Sequence, residues 1–301
     1  ADFSPNAILQ VQPAFLEYVI ERVRDLGLDI ISLDEALERL AAPGRGWPFV
    51  VLTFDDAYKD NLRHALPVLH RQEAPFTLYV PTALVDGVGE LWWQAIEDII
   101  AGKDAIAMTS AGETDYVDTR TVRQKREAFN TLYWQMRRMP EAERVQLVRS
   151  FAAAYGYDLA KQCRDLIMDW QELRLFAGDP LCTLGAHTVH HYELAKLPIE
   201  QARNEMAQSA DILLAQFGQR PVHFSYPLGG PLSAGQREFD LARELGFKSA
   251  VTTRPGGLYA RHAHAPHALP RVSLNGYFQS RRYVDVFATG AIFSAMGKFT
   301  G

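Results

Sequence analysis

The sequence predicts an α/β fold: a (β/α) barrel of five to seven strands, distorted or incomplete, carrying a helical insertion. Three observations lead there. Short runs of strand formers alternate with segments whose apolar residues recur at helical spacing. The run Val50-Val51-Leu52-Thr53-Phe54 is apolar on both faces, as strands of a covered parallel sheet are. From about residue 91 to 176 the alternation lapses and helical patterns follow one another. No linker flanks that stretch, so residues 1–301 read as one domain with an insertion at about 91–176.

Taken in order, residues 13–26 predict a helix, with Pro13 suited to its first turn and Gly27 to its stop. Asp29 to Leu33 predicts a short strand, and Ser32 can cap a helix from Asp34 to Leu40. Pro43-Gly44-Arg45-Gly46 predicts a turn before the central strand. A helix over Asn61 to Gln72 and a strand over Phe76 to Pro81 complete a βαβ unit and a parallel pair. Within the insertion, helices are expected at Trp92 to Ile100, Arg120 to Met139, Glu141 to Ala154 and Trp170 to Phe176, with a polar stretch from Gly102 to Asp118. Strands follow at Thr183 to Ala186, Val222 to Pro227, Lys248 to Thr253 and Leu269 to Leu274. Helices are expected over Pro198 to Phe217, over Gly235 to Leu245 and, as a closing element, over Tyr283 to Met296.

Composition narrows the function. The net charge of −5 argues against nucleic acid as the main partner. No run of 18 apolar residues exists, so no membrane span is expected. The chain starts at Ala1 without a signal-peptide pattern, and the expectation leans towards a cytoplasmic location. Cys163 and Cys182 are the only cysteines; without a Cys-x-x-Cys they offer neither a zinc ribbon nor a dithiol site. Oligomeric state is not legible.

Three stretches carry chemistry. Asp55 and Asp56 stand where the central strand exits, and ligands of α/β folds bind at the carboxyl ends of strands. Neighbouring residues at a strand end point differently, so one carboxylate can hold a cation while the other handles a proton. The second stretch is His187-Thr188-Val189-His190-His191, again after a strand. His187 and His191 are four apart; on one helical turn they share a face and can grip one ion, with His190 pointing elsewhere. One Asp with two neutral His suits Zn²⁺ or another imidazole-binding divalent metal, and three protein ligands leave a position open for water. The third stretch, Phe224-Ser225-Tyr226-Pro227-Leu228-Gly229-Gly230, is a strand entering a proline-glycine loop whose amides can meet an oxyanion. Trp92, Trp93, Tyr133 and Trp134 read as helical core packing ahead of a sugar-stacking platform. The His-rich loop from Arg261 to His267 reads as solvated.

Together these stretches resemble the polysaccharide deacetylases of carbohydrate esterase family four. The family's Thr-Phe-Asp-Asp-Gly appears as Thr53-Phe54-Asp55-Asp56-Ala57, its His-Ser/Thr-x-x-His as His187 to His191, and its third loop as Phe224 to Gly229, in the same order. The resemblance runs from about residue 13 to 275, with the insertion poorly matched, and implies a distorted or incomplete (β/α)7 barrel, in agreement with the strand count. It implies Asp55 as general base, with Asp56, His187 and His191 as ligands of a divalent metal, Zn²⁺ by expectation. It implies a Leu228 amide contact to the oxyanion, and Tyr226 and Pro227 against substrate. The implied activity is removal of N-acetyl groups from an N-acetylhexosamine glycan, by Asp-assisted attack of water activated at the metal.

Three departures stand out. Ala57 replaces the usual Gly. The Arg that orients the base in many members is Ser225 here, which leaves Arg254 or Arg271 to supply the charge, or its absence. The family's late His, the usual general acid, has no clean match; His267 is the candidate. Two alternatives stay open: C–N hydrolysis of cyclic imides or ureides at the same site, and a catalytically impaired carbohydrate-binding homologue.

Overall fold

The structure is a computed structural model, and it describes residues 3–42, 48–110, 113–288 and 290. The expected turn at Pro43 to Gly46 lies outside the described residues, as does most of the expected closing helix beyond residue 288.

After a 3-10 turn at Pro5–Leu9, helix α1 (Pro13–Asp25) leads to β1 (Asp29–Ile30) and α2 (Leu33–Ala41). Ser32 caps α2 as expected, its side chain accepting from the Glu35 amide at 3.2 Å. The central run splits at Val51. Its first part, β2 (Phe49–Val50), pairs in parallel with β1, and its second, β3 (Leu52–Asp55), enters the main sheet. A π-helical turn at Asn61–Ala65 precedes α3 (Leu66–Arg71). Pro67 has no N–H to continue the regular ladder, which accounts for the widened turn before it. Next come β4 (Phe76–Val80) and the short α4 (Thr82–Val85).

The insertion holds α5 (Trp92–Ala101), β5 (Ala105–Ser110), β6 (Glu113–Asp118), α6 (Val122–Arg138), α7 (Glu141–Ala154), α8 (Leu159–Leu166) and α9 (Trp170–Ala177). The polar stretch from Gly102 to Asp118, for which no strand was expected, holds an antiparallel hairpin with Ala105 opposite Asp118. Ile106, Met108 and Val117 give it an apolar side packed on the core. The barrel then resumes with β7 (Cys182–Ala186), α10 (Ile199–Phe217), β8 (His223–Ser225), α11 (Gln236–Glu244), β9 (Ser249–Pro255) and β10 (Leu269–Arg271), and α12 (Arg281–Ala288) follows.

The main sheet is parallel throughout, in the order β10-β9-β8-β7-β4-β3. It curls into an open half-barrel, a distorted, incomplete (β/α)7 barrel, while β1 and β2 form a separate two-stranded parallel pair. Register places Asp55 beside Tyr79 and Tyr79 beside Gly185, all facing the lumen. Gly185 is obligatory there: a Cβ would stand 2.3 Å from the Tyr79 ring. The opposite faces of the same strands (Phe76, Leu78, Val80, Phe224) are buried under the helices in one large core that includes Trp92 and Trp93 of α5.

Candidate active site

The site lies at the carboxyl ends of β3, β7 and β8, where three loops converge. Asp55 ends β3, and Asp56 and Ala57 turn sharply with φ of 72° and 57°. The β7 loop has Thr188 at 64° and His191 at 59°, and the β8 loop has Leu228 at 59°. Five of the six described non-glycine residues with positive φ therefore sit in these three loops. Each costs on the order of 1 kcal/mol, and the cost persists because surrounding bonds fix the loops. Met168 N–H donates to Ala57 O at 3.0 Å. Glu205 of α10 accepts from the amides of Val189 and His190 at 3.0 and 2.9 Å. Thr188 Oγ1 accepts from the His191 amide at 2.9 Å.

The strain has a result. His187 Nε2 and His191 Nε2 stand 3.4 and 3.3 Å from the same atom, Asp56 Oδ1. That oxygen is buried and has no hydrogen-bond partner among the described residues. The expectation of a shared helical face is corrected: 187–191 is a non-helical loop, and left-handed Thr188 and His191 bring the rings together, with centroids 4.9 Å apart. His190 takes no part. Its ring bonds Glu205 at 2.6 Å and stacks on Tyr192.

The three atoms are spaced for a cation. Ligands about 2.1 Å from a zinc ion at a tetrahedral angle stand about 3.4 Å apart, the separation found between Asp56 and each histidine. Both histidines are buried. His187 Nδ1–H donates to Ser225 O at 2.6 Å, leaving Nε2 with its lone pair towards Asp56. Burial pulls the His187 pKa down, but the close approach of Asp56 and the charges of Asp55 and Asp56 outweigh it, so the value is raised. Positive charge is thus favoured at this point, and a bound ion would take the place of that proton. Burial holds the His191 pKa down to about 4, so its imidazole is neutral and able to ligate.

Asp55 turns away from this cluster. Arg271, at the end of β10 on the far edge of the sheet, reaches across the lumen and grips it with two parallel bonds, Nη1 to Oδ1 at 2.8 Å and Nη2 to Oδ2 at 2.7 Å. The other donors of the guanidinium go to Thr252 O (2.9 Å), Ser225 Oγ (3.2 Å) and Thr53 Oγ1 (3.4 Å). All five N–H groups therefore have acceptors. Ser225, small where an Arg was expected, leaves room for this guanidinium and helps hold it. Of the two candidates for the missing charge, Arg271 supplies it; Arg254 instead donates to Ala234 O and lies over Phe239. Burial pushes the Asp55 pKa up, but the charge and hydrogen bonds of Arg271 overcome it and hold the carboxyl at about 2.

Three expected site residues lie elsewhere. His267 Nε2–H donates to Phe247 O at 2.7 Å. Phe247 precedes β9, so this is the amino-terminal end of the sheet, opposite the site, and His267 cannot serve there as general acid. Tyr226 is fully buried and donates through its hydroxyl to His267 O at 2.9 Å. Ser225 faces the lumen, so alternation turns Phe224 and Tyr226 outward beneath α11; the Tyr226 side chain is core, and Pro227 beside it is buried as well. Leu228 is half-buried at the site end. Its carbonyl is spent on Gly230 N–H (2.7 Å) and Thr253 Oγ1 (2.6 Å), bonds that leave the amide out.

Sequence reasoning missed the wall supplied by the insertion. The Trp93 ring lies 5.0 Å from that of His191, and its Nε1–H donates to Tyr58 Oη at 3.2 Å. Trp92 and Trp93 are core, as expected, while Trp134 is exposed.

The chain resembles known proteins over most of its length. The sequence pattern that defines polysaccharide deacetylases matches residues 44–250, which takes in the two acids, the two histidines and the β8 loop. The Bacillus subtilis (strain 168) protein YxkH, which carries a provisional polysaccharide deacetylase name, is 33% identical over 86 residues, or 27% of this chain; the match spans only 30% of that relative's length. Streptococcus pyogenes deacetylase PplD, solved in complex with acetate, has a TM-score of 0.52 at 19% identity and covers 91% of this chain and 88% of its own. IcaB from Ammonifex degensii has a TM-score of 0.57 at 17% identity, covering 94% and 93%. At such identities the structures speak for a shared fold, and it is the pattern over 44–250, together with the acids and histidines found converging within it, that places this chain in the polysaccharide deacetylase family.

Proposed function

We propose that this protein is a zinc-dependent N-deacetylase of an N-acetylhexosamine-containing glycan. The observation that carries the reading is the convergence of Asp56 Oδ1 with the Nε2 atoms of His187 and His191 at 3.3–3.4 Å, beside a second carboxylate held apart by Arg271. Two imidazoles and one carboxylate select zinc or a neighbouring transition metal over magnesium or calcium, which prefer all-oxygen sites. Such an ion supplies Lewis acidity towards an amide carbonyl and lowers the pKa of water.

The chain's own residues divide the remaining work. Asp55, its pKa held at about 2 and so ionised at any ordinary pH, accepts the proton of the attacking water and returns it to the departing amine nitrogen as the C–N bond breaks. Arg271 fixes the plane of that carboxylate through its two bonds, so the accepting oxygen does not rotate away. The Leu228 amide, in its left-handed turn, is a donor for the negative charge that develops on the acetamide oxygen. The expectation that the loss of the Arg at position 225 could leave the base unoriented has a physical answer in Arg271, and with it the case for an impaired homologue weakens.

The test is acetate release from N-acetylglucosamine oligomers, with and without chelator, for the natural protein and Asp55→Asn. Release that needs metal and drops by about 10³-fold in the variant supports the reading. Purified protein that holds no zinc, or release untouched by Asp55→Asn, overturns it.

A further inference from the structure

The two metal-facing histidines are held in different ways. His187 has the usual device: its distal nitrogen donates to the Ser225 carbonyl at 2.6 Å. His191 has none among the described residues, for its buried Nδ1 has no hydrogen-bond partner there. Something else must fix that ring.

A closed circuit of contacts runs from the ring through the insertion and back to its own loop. Trp93 lies 5.0 Å from His191, and Trp92 meets Trp93 edge to face at 5.8 Å. The Arg144 guanidinium of α7 sits 5.5 Å over Trp92 and 5.7 Å over Tyr192, the residue after His191. Arg144 binds Glu141 through Nε at 2.7 Å and Nη2 at 2.6 Å. Glu141 Oε1 then accepts from the backbone amide of Glu193, two residues past His191, at 3.1 Å. The Glu193 carboxylate continues to Lys196 at 2.6 Å and to Ser233 Oγ at 2.8 Å, and Ser233 lies in the loop that begins at Leu228. Glu141, Arg144, Glu193 and Ser233 are all buried.

We propose that Arg144, with Glu141, is the positioning element for His191, so that the helical insertion is part of the metal site rather than an addition beside it. A buried ion pair is a poor source of stability, because desolvating both charges cancels most of their attraction. Its use is geometric. A planar guanidinium can span two aromatic faces and a carboxylate at once, which no apolar side chain and no lysine can do. It thereby sets the distance between the insertion and the segment Tyr192–Glu193, and with it the angle at which His191 faces Asp56.

The role of His191 as a ligand comes from the function proposed above, and the experiment separates the two claims. Zinc binding is titrated calorimetrically for the natural protein, Arg144→Lys, Arg144→Met and the double variant Glu141→Gln/Arg144→Met, with backbone hydrogen exchange followed over 187–197 and 228–235. Arg144→Met leaves Glu141 buried and unpaired and can unfold the chain; the double variant removes both charges and avoids this. Expected are a roughly tenfold loss of zinc affinity in the folded Met variants, an intermediate loss in Arg144→Lys, faster exchange in both loops, and a fall in kcat with KM little changed. A merely structural pair would lower the melting temperature and leave zinc affinity alone. Unchanged affinity and exchange in the double variant overturn the proposal. If the natural protein binds no zinc, the functional reading fails, and the exchange comparison still decides whether Arg144 holds this loop.

Discussion

Histidines stand at both ends of the parallel sheet, and their surroundings treat them in opposite ways. At the amino-terminal end His267 donates to Phe247 O, His70 pairs with Asp179, and His223 bonds Ser249 Oγ at 2.8 Å with Asp34 beyond its other nitrogen. These rings are tied to neighbours within ordinary backbone. At the carboxyl end His187 and His191 point at one unpartnered oxygen, in loops bent through left-handed φ. A histidine count, or a spacing of four, does not separate the two sets. Unsatisfied convergence on a shared point, maintained against backbone strain, does.

The comparison can be broken most directly by exchanging the fates of two rings. On the proposed reading, His187→Ala should lower acetate release by at least about 10³-fold, because it would remove one of three ligands and with it the ion's Lewis acidity. His267→Ala should leave release within twofold and cost about 1 kcal/mol in urea unfolding, the usual net worth of one hydrogen bond. Should His267→Ala prove as inactive as His187→Ala, the two ends are not separate and the assignment of His267 to structure is wrong.

The contact between Arg271 and Asp55 is the next largest lever, because it joins the site to the two free edges of the sheet. Arg271→Met should lower kcat/KM by about 10²-fold. It should also move the pH profile. Asp55 sits near 2 because Arg271 overcomes burial; without the guanidinium, burial prevails and the carboxyl pKa rises. A base must be ionised to act, so the acid limb of kcat/KM should shift to higher pH in the variant. Stability follows the same sign. With a folded pKa below the ordinary carboxylate value of about 3.9, Asp55 stabilises the natural fold fully above that value, and the contribution fades as pH falls towards 2. A variant whose acid limb stays in place would show that Asp55 is not the base.

How much of this was legible follows from what each residue depends on. The strands and the pairs Asp55-Asp56 and His187/His191 were readable because each motif is continuous in sequence and ends a strand. The His-loop geometry was misread as helical because spacing alone cannot reveal two left-handed residues. Tyr226 was assignable after all: if Ser225 faces the lumen, alternation sends its neighbours into the helix layer. The hairpin at 105–118 escaped because its apolar side rests on an insertion helix rather than in the barrel. Arg271 was visible only as one of two candidates, since its reach depends on how tightly an open sheet curls, and no local pattern encodes that.

The smallest expected effect concerns Ala57, where the family motif has Gly. Ala57 holds φ at 57° and is fully buried, with its carbonyl receiving Met168 N–H. Ala57→Gly relieves a left-handed penalty of about 1 kcal/mol. It also frees the unfolded chain, at a cost of roughly 0.5–1 kcal/mol, and removes a buried methyl worth about 0.8 kcal/mol. The terms nearly cancel, so urea unfolding should move by less than about 1 kcal/mol and acetate release by less than twofold. Ala57→Val keeps the strain, adds β-branching where φ is positive, and should lose both. If Gly instead raised activity severalfold, the Cβ at position 57 would be pressing on the placement of Asp56, and the strain in this turn would belong to the metal site rather than to packing against the insertion.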